Sequence, residues 1–110
     1  MMIIRDYQSK AELFQILSHP VRLQILDELR KKPSCVCHLQ IATRRPQAYV
    51  SQQLRVLRDA GLVIDEKYGQ NVYYRLCNPS IVPLLDKVLG PVEPALIFSE
   101  CTCPTCVTKT

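Results

Sequence analysis

The chain has 110 residues, 47% of them hydrophobic, enough for one compact core and too few for two ordinary domains. Fourteen Lys and Arg against ten Asp and Glu leave a net charge of +4, a mild basic excess compatible with a polyanionic partner. The opening Met1-Met2-Ile3-Ile4-Arg5-Asp6 lacks the apolar run of a secretory signal, and no apolar stretch approaches the ~18 residues of a membrane span, so neither export nor membrane insertion is expected, and a reducing cytoplasm is.

Tyr7, Ala11, Phe14 and Leu17 recur at helical spacing and predict an amphipathic helix over 6–17 with these four on its buried stripe. Pro20 suits a first helical position, and Val21, Ile25, Leu26 and Leu29 form the apolar face of a second helix that Lys31-Lys32-Pro33 closes. Ser34 is the expected cap of a short third helix over 35–43, with Val36, Leu39 and Ala42 inward. After the turn Arg44-Arg45-Pro46, a fourth helix runs to about Ala60 with Val50, Leu54 and Leu57 inward, and Gly61 stands where a left-handed cap is wanted. Leu62-Val63-Ile64 and Val72-Tyr73-Tyr74-Arg75-Leu76 flank the turn-prone Tyr68-Gly69-Gln70-Asn71 and read as a β-hairpin. A fifth helix is predicted over 81–89, broken by Gly90, Pro91 and Pro94 before a short apolar piece at 95–98 and a cysteine-rich tail.

Short helix, tight turn, polar-faced helix and hairpin is the order of a winged helix-turn-helix, in which the second helix enters the major groove. The stretches Ser18-His19-Pro20-Val21-Arg22-Leu23-Gln24-Ile25-Leu26, Cys35-Val36-Cys37-His38-Leu39, Val50-Ser51-Gln52-Gln53-Leu54, Ala60-Gly61-Leu62-Val63 and Gly69-Gln70-Asn71-Val72-Tyr73-Tyr74-Arg75-Leu76 together resemble the ArsR/SmtB family of metal-sensing repressors over about residues 11–90. The expected architecture is mainly α with a small β-hairpin, five to six helices plus wing, in a homodimer: a DNA-binding and dimerisation domain over 1–98 and a tail over 99–110. Gln47, Ser51, Gln52 and Gln53 are the candidate readers of base edges, since amide side chains pair at two points with adenine, and Tyr49 is a further DNA-binding candidate. Arg44, Arg45, Arg55 and Arg58 are candidates for phosphate contact, and Lys67, Gln70 and Asn71 for the wing's contact with groove or backbone. One recognition helix covers too few bases for genomic specificity, so two half-sites of double-stranded operator DNA ~34 Å apart are expected. The first and fifth helices would pair across the two-fold axis, where Ile81, Leu84, Leu85 and Val88 find partial burial.

Cytosolic thiols are kept reduced, which makes six cysteines more readily a metal or redox site than a disulfide framework. Cys35-Val36-Cys37 matches the Cys-Val-Cys metal box that the resemblance implies. On a regular helix two such side chains diverge by about 200°, so joint chelation calls for a distorted first turn, and that distortion is an attractive switch. Trivalent arsenic and antimony take three sulfurs, and cadmium, lead or zinc three or four. The family pattern's next cysteine is here Gln40, and His38 stands where an acidic residue is common, so Cys101, Cys103 and Cys106 are the candidates to complete the site with Cys35 and Cys37, from the same or the partner subunit. Cys77 reads as a small core residue, His19 as a helix-entry residue and His38 as an outlying fourth donor. A zinc site on the fifth helix is not expected, because the segment offers only Asp86.

The expected function is a repressor that leaves operator DNA when its thiolates bind As(III), Sb(III), Cd(II), Pb(II) or Zn(II). One alternative keeps the repressor and makes the signal a disulfide or persulfide between Cys35 or Cys37 and the tail. A thiol oxidoreductase using Cys103-Pro104-Thr105-Cys106 lacks the helix N-terminus and βαβ setting that activate such a pair. A zinc-stapled protein-interaction module is disfavoured by the arginines beside the glutamine-rich face. No nucleotide loop or catalytic triad supports an enzyme.

Overall fold

The computed structural model describes residues 6–93. Five helices and three strands follow in order: α1 (Tyr7–Leu17), α2 (Pro20–Lys31), β1 (Ser34–Cys35), α3 (Val36–Thr43), α4 (Gln47–Asp59), β2 (Val63–Tyr68), β3 (Asn71–Leu76) and α5 (Ile81–Leu89). The expected helix-turn-helix and hairpin are present; the apolar piece at 95–98 and the cysteine-rich tail lie outside the described residues.

Local chemistry accounts for most boundaries. Asp6 accepts the Ser9 N–H at 3.0 Å and starts α1. Pro20 occupies the first turn of α2, where a missing N–H costs nothing. Gly61 adopts φ +79° just past α4, which lets the Leu62 N–H return to the Leu57 carbonyl at 3.0 Å and turns the chain into the sheet.

All four helices after α1 contribute to one core, in which Ile25, Leu26, Leu39, Leu54, Leu57 and Leu85 are at most 1% exposed. The predicted stripe of α1 is only partly covered. Leu17 is buried and Leu13 and Ile16 pack on the core, but Tyr7 and Phe14 are 75% and 57% exposed, because α1 meets the body through its C-terminal half. Arg30 ties α5 to α2: its side chain is 2% exposed and donates to Asp27 Oδ1 at 2.6 Å, Asp86 Oδ1 at 2.7 Å and the Gly90 carbonyl at 2.9 Å. Both carboxylates reach water, so their loss of a partner leaves no buried charge. Arg30→Ala is expected to lower the unfolding free energy by about 1.5–3 kcal/mol, read as a lower urea midpoint at unchanged slope.

The sheet has the order β1-β3-β2, all antiparallel. No sequence pattern predicts β1, in which Ser34 lies opposite Tyr74 and Cys35 opposite Tyr73. Val63, Tyr74 and Leu76 turn one face of the sheet to the main core, while Tyr73 and Cys35 form a second, small cluster with Cys37 and Ile41.

Candidate DNA-binding face and thiol site

The turn between α3 and α4 is made by Arg44 in the left-handed conformation, φ 58° and ψ 41°, which a non-glycine residue adopts at some cost. That turn sets the angle at which α4 leaves α3. Arg44, Arg45, Gln47, Gln52 and Arg55 are exposed along α4 and its entry, and Ser51 is half-buried on the same side. Tyr49 is half-buried, with its hydroxyl 3.4 Å from His19 Nε2 and the Arg45 guanidinium 5.5 Å from its ring centroid.

Gln53 departs from the expected exposed face. It is 6% exposed and its side-chain oxygen accepts from Arg22 Nε at 2.7 Å, while Arg22 also donates to the Ile16 carbonyl at 3.2 Å. The signal is present in the spacing, since Gln53 follows Val50 by three and precedes Leu57 by four, which places it on the inward stripe. Its work is to fasten α4 to α2. On the wing, Gly69 at φ +62° and Gln70 form the two-residue turn, with Lys67 and Gln70 exposed and Asn71 half-buried at its base. Arg58 leans to Asp65 at 3.8 Å and Asp59 at 3.9 Å.

The thiol pair sits differently from the sequence expectation. Cys35, not Ser34, is the N-cap of α3: its backbone is extended at φ −85° and ψ 169°, and its Sγ accepts the His38 N–H at 3.4 Å. Cys37 lies in the first turn, and the two Sγ atoms stand 2.9 Å apart. An extended cap residue folds its side chain back over the turn that follows, so the sulfurs converge without any distortion of the helix. Cys35 and Cys77 carry thiols. Cys77 is half-buried, with its Sγ 3.4 Å from the Gly61 carbonyl.

His38 is fully buried, and its Nε2 lies 3.1 Å from Glu28 Oε1. That hydrogen bond, with Lys31 3.0 Å away, holds the Glu28 carboxyl below the ordinary carboxylate range against burial, which pushes it up. The imidazole is thus part of the α2–α3 contact. Among the described residues no three His, Cys, Asp or Glu side chains are gathered to hold a metal ion; the candidate tail ligands Cys101, Cys103 and Cys106 lie outside those residues.

The family model described as bacterial regulatory protein, arsR family, matches residues 19–65, from the start of α2 into β2. The chain is 36% identical over 92 residues to the transcriptional repressor SmtB homolog of Synechocystis sp., an alignment spanning 84% of this chain and 70% of that protein. The chain belongs to the ArsR/SmtB family. A second family member, the arsenical resistance operon repressor of Escherichia coli, is 40% identical over 81 residues, or 71% of this chain and 67% of that one. Among solved structures, the homodimeric winged helix-turn-helix DNA-binding domain from Mycobacterium bovis, a possible ArsR-family regulator, matches with a TM-score of 0.68 at 28% identity, covering 81% of this chain and 87% of that chain. This ArsR/SmtB chain is accordingly a transcriptional repressor and not an enzyme, and among its described residues no helix is long and apolar enough to cross a membrane.

Proposed function

We propose that the protein binds operator DNA as a homodimer and releases it when Cys35 and Cys37 bind a thiophilic metal or metalloid ion. The observation that carries this reading is the 2.9 Å approach of the two sulfurs at the start of α3, the helix that sets the position of α4. Two sulfurs supply part of a coordination shell, and As(III), Sb(III), Cd(II), Pb(II) and Zn(II) each call for at least one more, which we assign to Cys101, Cys103 and Cys106. The Escherichia coli relative, whose name ties it to arsenical resistance, supports a metalloid among the inducers. Arg44, Arg45 and Arg55 meet phosphates, Gln47, Ser51 and Gln52 meet base edges, and Lys67, Gln70 and Asn71 carry the wing's contact. The dimer is supported by the Mycobacterium bovis homologue and by an apolar groove of about 210 Å³ between α1 and α5, rimmed by the exposed Phe14 and Val88.

The proximity of two cysteine sulfurs also admits a second reading, in which Cys35 or Cys37 and a tail cysteine give up two electrons and two protons to an oxidant and the resulting bridge lowers DNA affinity. One experiment separates the two. Fluorescence anisotropy of fully reduced protein on a duplex from its own upstream region, titrated anaerobically with arsenite, Cd(II), Pb(II) and Zn(II), is expected to show release by at least one ion. Release by a peroxide or persulfide alone would overturn the metal reading in favour of the redox one. Binding that weakens steeply with added salt is expected throughout, through counterion release from the phosphates.

A further inference from the structure

The start of α2 carries a residue whose side chain its own helix does not use. His19 is the N-cap of α2, with an extended backbone at φ −156° and ψ 119°, yet its side chain makes no capping hydrogen bond. Ser, Thr, Asn and Asp are the residues that serve at that position when capping is the role. The imidazole turns to α4 instead. Its Nε2 lies 3.4 Å from the Tyr49 hydroxyl, the two ring centroids are 6.5 Å apart, and its buried Nδ1 has no hydrogen-bond partner among the described residues. One turn further along α2, Arg22 donates to the Gln53 side-chain oxygen at 2.7 Å. The beginning of α2 therefore holds α4 at two points, Tyr49 and Gln53, one helical turn apart.

Tyr49 is half-buried, packs against the main core and has the Arg45 guanidinium 5.5 Å from its ring centroid. Arg45 is exposed, and its backbone N–H is fixed to the Gln40 carbonyl at 3.3 Å, so the ring orients a side chain whose root is already held. Stacking uses the flat face of a guanidinium and leaves the N–H groups along its edge free for a phosphate. A free arginine loses rotamer entropy when a phosphate immobilises it, and one already stacked on a ring loses less.

We infer that His19 is a positioning residue for DNA binding: it holds the Tyr49 ring, and the ring holds Arg45 ready for a phosphate. The inference rests on the reading that Arg45 meets a phosphate. It gives Tyr49 a supporting place beneath the contact and gives His19 a role beyond entry into α2.

The test uses reduced, ion-free protein and the duplex from its own upstream region, with Kd measured over a series of salt concentrations. The variants are His19→Asn, Tyr49→Leu and Arg45→Gln, and each of the first two combined with Arg45→Gln. Arg45→Gln is expected to lower the slope of log Kd against log salt by about one phosphate per protomer. Tyr49→Leu is expected to weaken binding roughly 5- to 30-fold in a dimer that uses the stacked arginine twice, and His19→Asn by a smaller factor. Neither is expected to weaken binding further once Arg45 is Gln. His19→Asn supplies a preferred N-cap too short to keep the Tyr49 contact, so its thermal midpoint is expected at or above that of wild type while its affinity falls, a combination that a purely structural role for His19 does not produce. If Arg45→Gln lowers the salt slope but His19→Asn binds as wild type does, or loses the same factor in both backgrounds, the inference alone is overturned, and this holds even if Tyr49→Leu fails to fold. An unchanged slope in Arg45→Gln, or a wild type that does not bind the duplex at any salt, overturns the phosphate reading of Arg45 together with the inference built on it.

Discussion

Replacing Cys35 and Cys37 together by serine is expected to abolish ion-induced release while leaving operator affinity close to that of the reduced wild type. The coupling at stake is about 1–3 kcal/mol, or roughly 5- to 150-fold in Kd. The substitution is a clean one for a structural reason. Position 35 is an N-cap whose sulfur accepts the His38 N–H at 3.4 Å, and a serine hydroxyl is a preferred group in that role. The variant therefore keeps the start of α3 and the β1–β3 pairing while removing the soft ligands. Anisotropy of the variant on the upstream duplex, with and without the ion that releases wild type, gives the result directly. A variant released as readily as wild type would move the sensing site away from this pair. A variant that no longer binds DNA at all would show that the sulfurs are needed for the DNA-bound fold itself.

Adjacent glutamines on α4 are expected to respond in opposite ways to truncation. Gln52 is exposed, and Gln52→Ala is expected to weaken specific binding by about 1–3 kcal/mol per half-site, twice that for a symmetric dimer, with the thermal midpoint unchanged. Gln53 is 6% exposed and accepts the Arg22 N–H at 2.7 Å, so Gln53→Leu strands a partly buried guanidinium and is expected to cost about 1–3 kcal/mol of stability. Gln53→Glu retains an acceptor for Arg22 and is expected to recover much of that loss. Thermal unfolding and anisotropy on specific and scrambled duplexes, run on the three variants together, check the pattern. Equal loss of sequence preference in Gln52→Ala and Gln53→Leu at unchanged stability would mean that Gln53 turns outward on DNA.

The helices can be read from the chain because their determinants are local. Val21, Ile25, Leu26 and Leu29 repeat at helical spacing and are all buried, Pro20 begins α2, and Gly61 supplies the left-handed turn after α4. The hairpin is legible for the same reason, from a change of residue type on either side of a glycine-containing turn. α1 is less legible: Tyr7 and Phe14 follow a helical spacing, but which part of a stripe is covered depends on what lies beside it. Gln53 reads as a base contact from its residue type, whereas its helical phase points inward, and a polar side chain on an inward stripe is permitted when a partner such as Arg22 meets it.

From the sequence alone came the winged helix-turn-helix order, the exposed arginines and glutamines of α4 and the Cys35-Val36-Cys37 box, each a pattern contained within a few residues. Tertiary structure decided how that box is placed. A two-residue strand has no periodicity to betray it, and its partner β3 lies far along the chain, so only folding could assign Cys35 to the sheet and to the cap of α3 at once. The same is true of His38, which faces Glu28 on the preceding helix. Periodicity is a property of neighbours in sequence, whereas the convergence of two sulfurs, a strand pair and a buried imidazole depends on how separate elements pack, and that is set by the core as a whole.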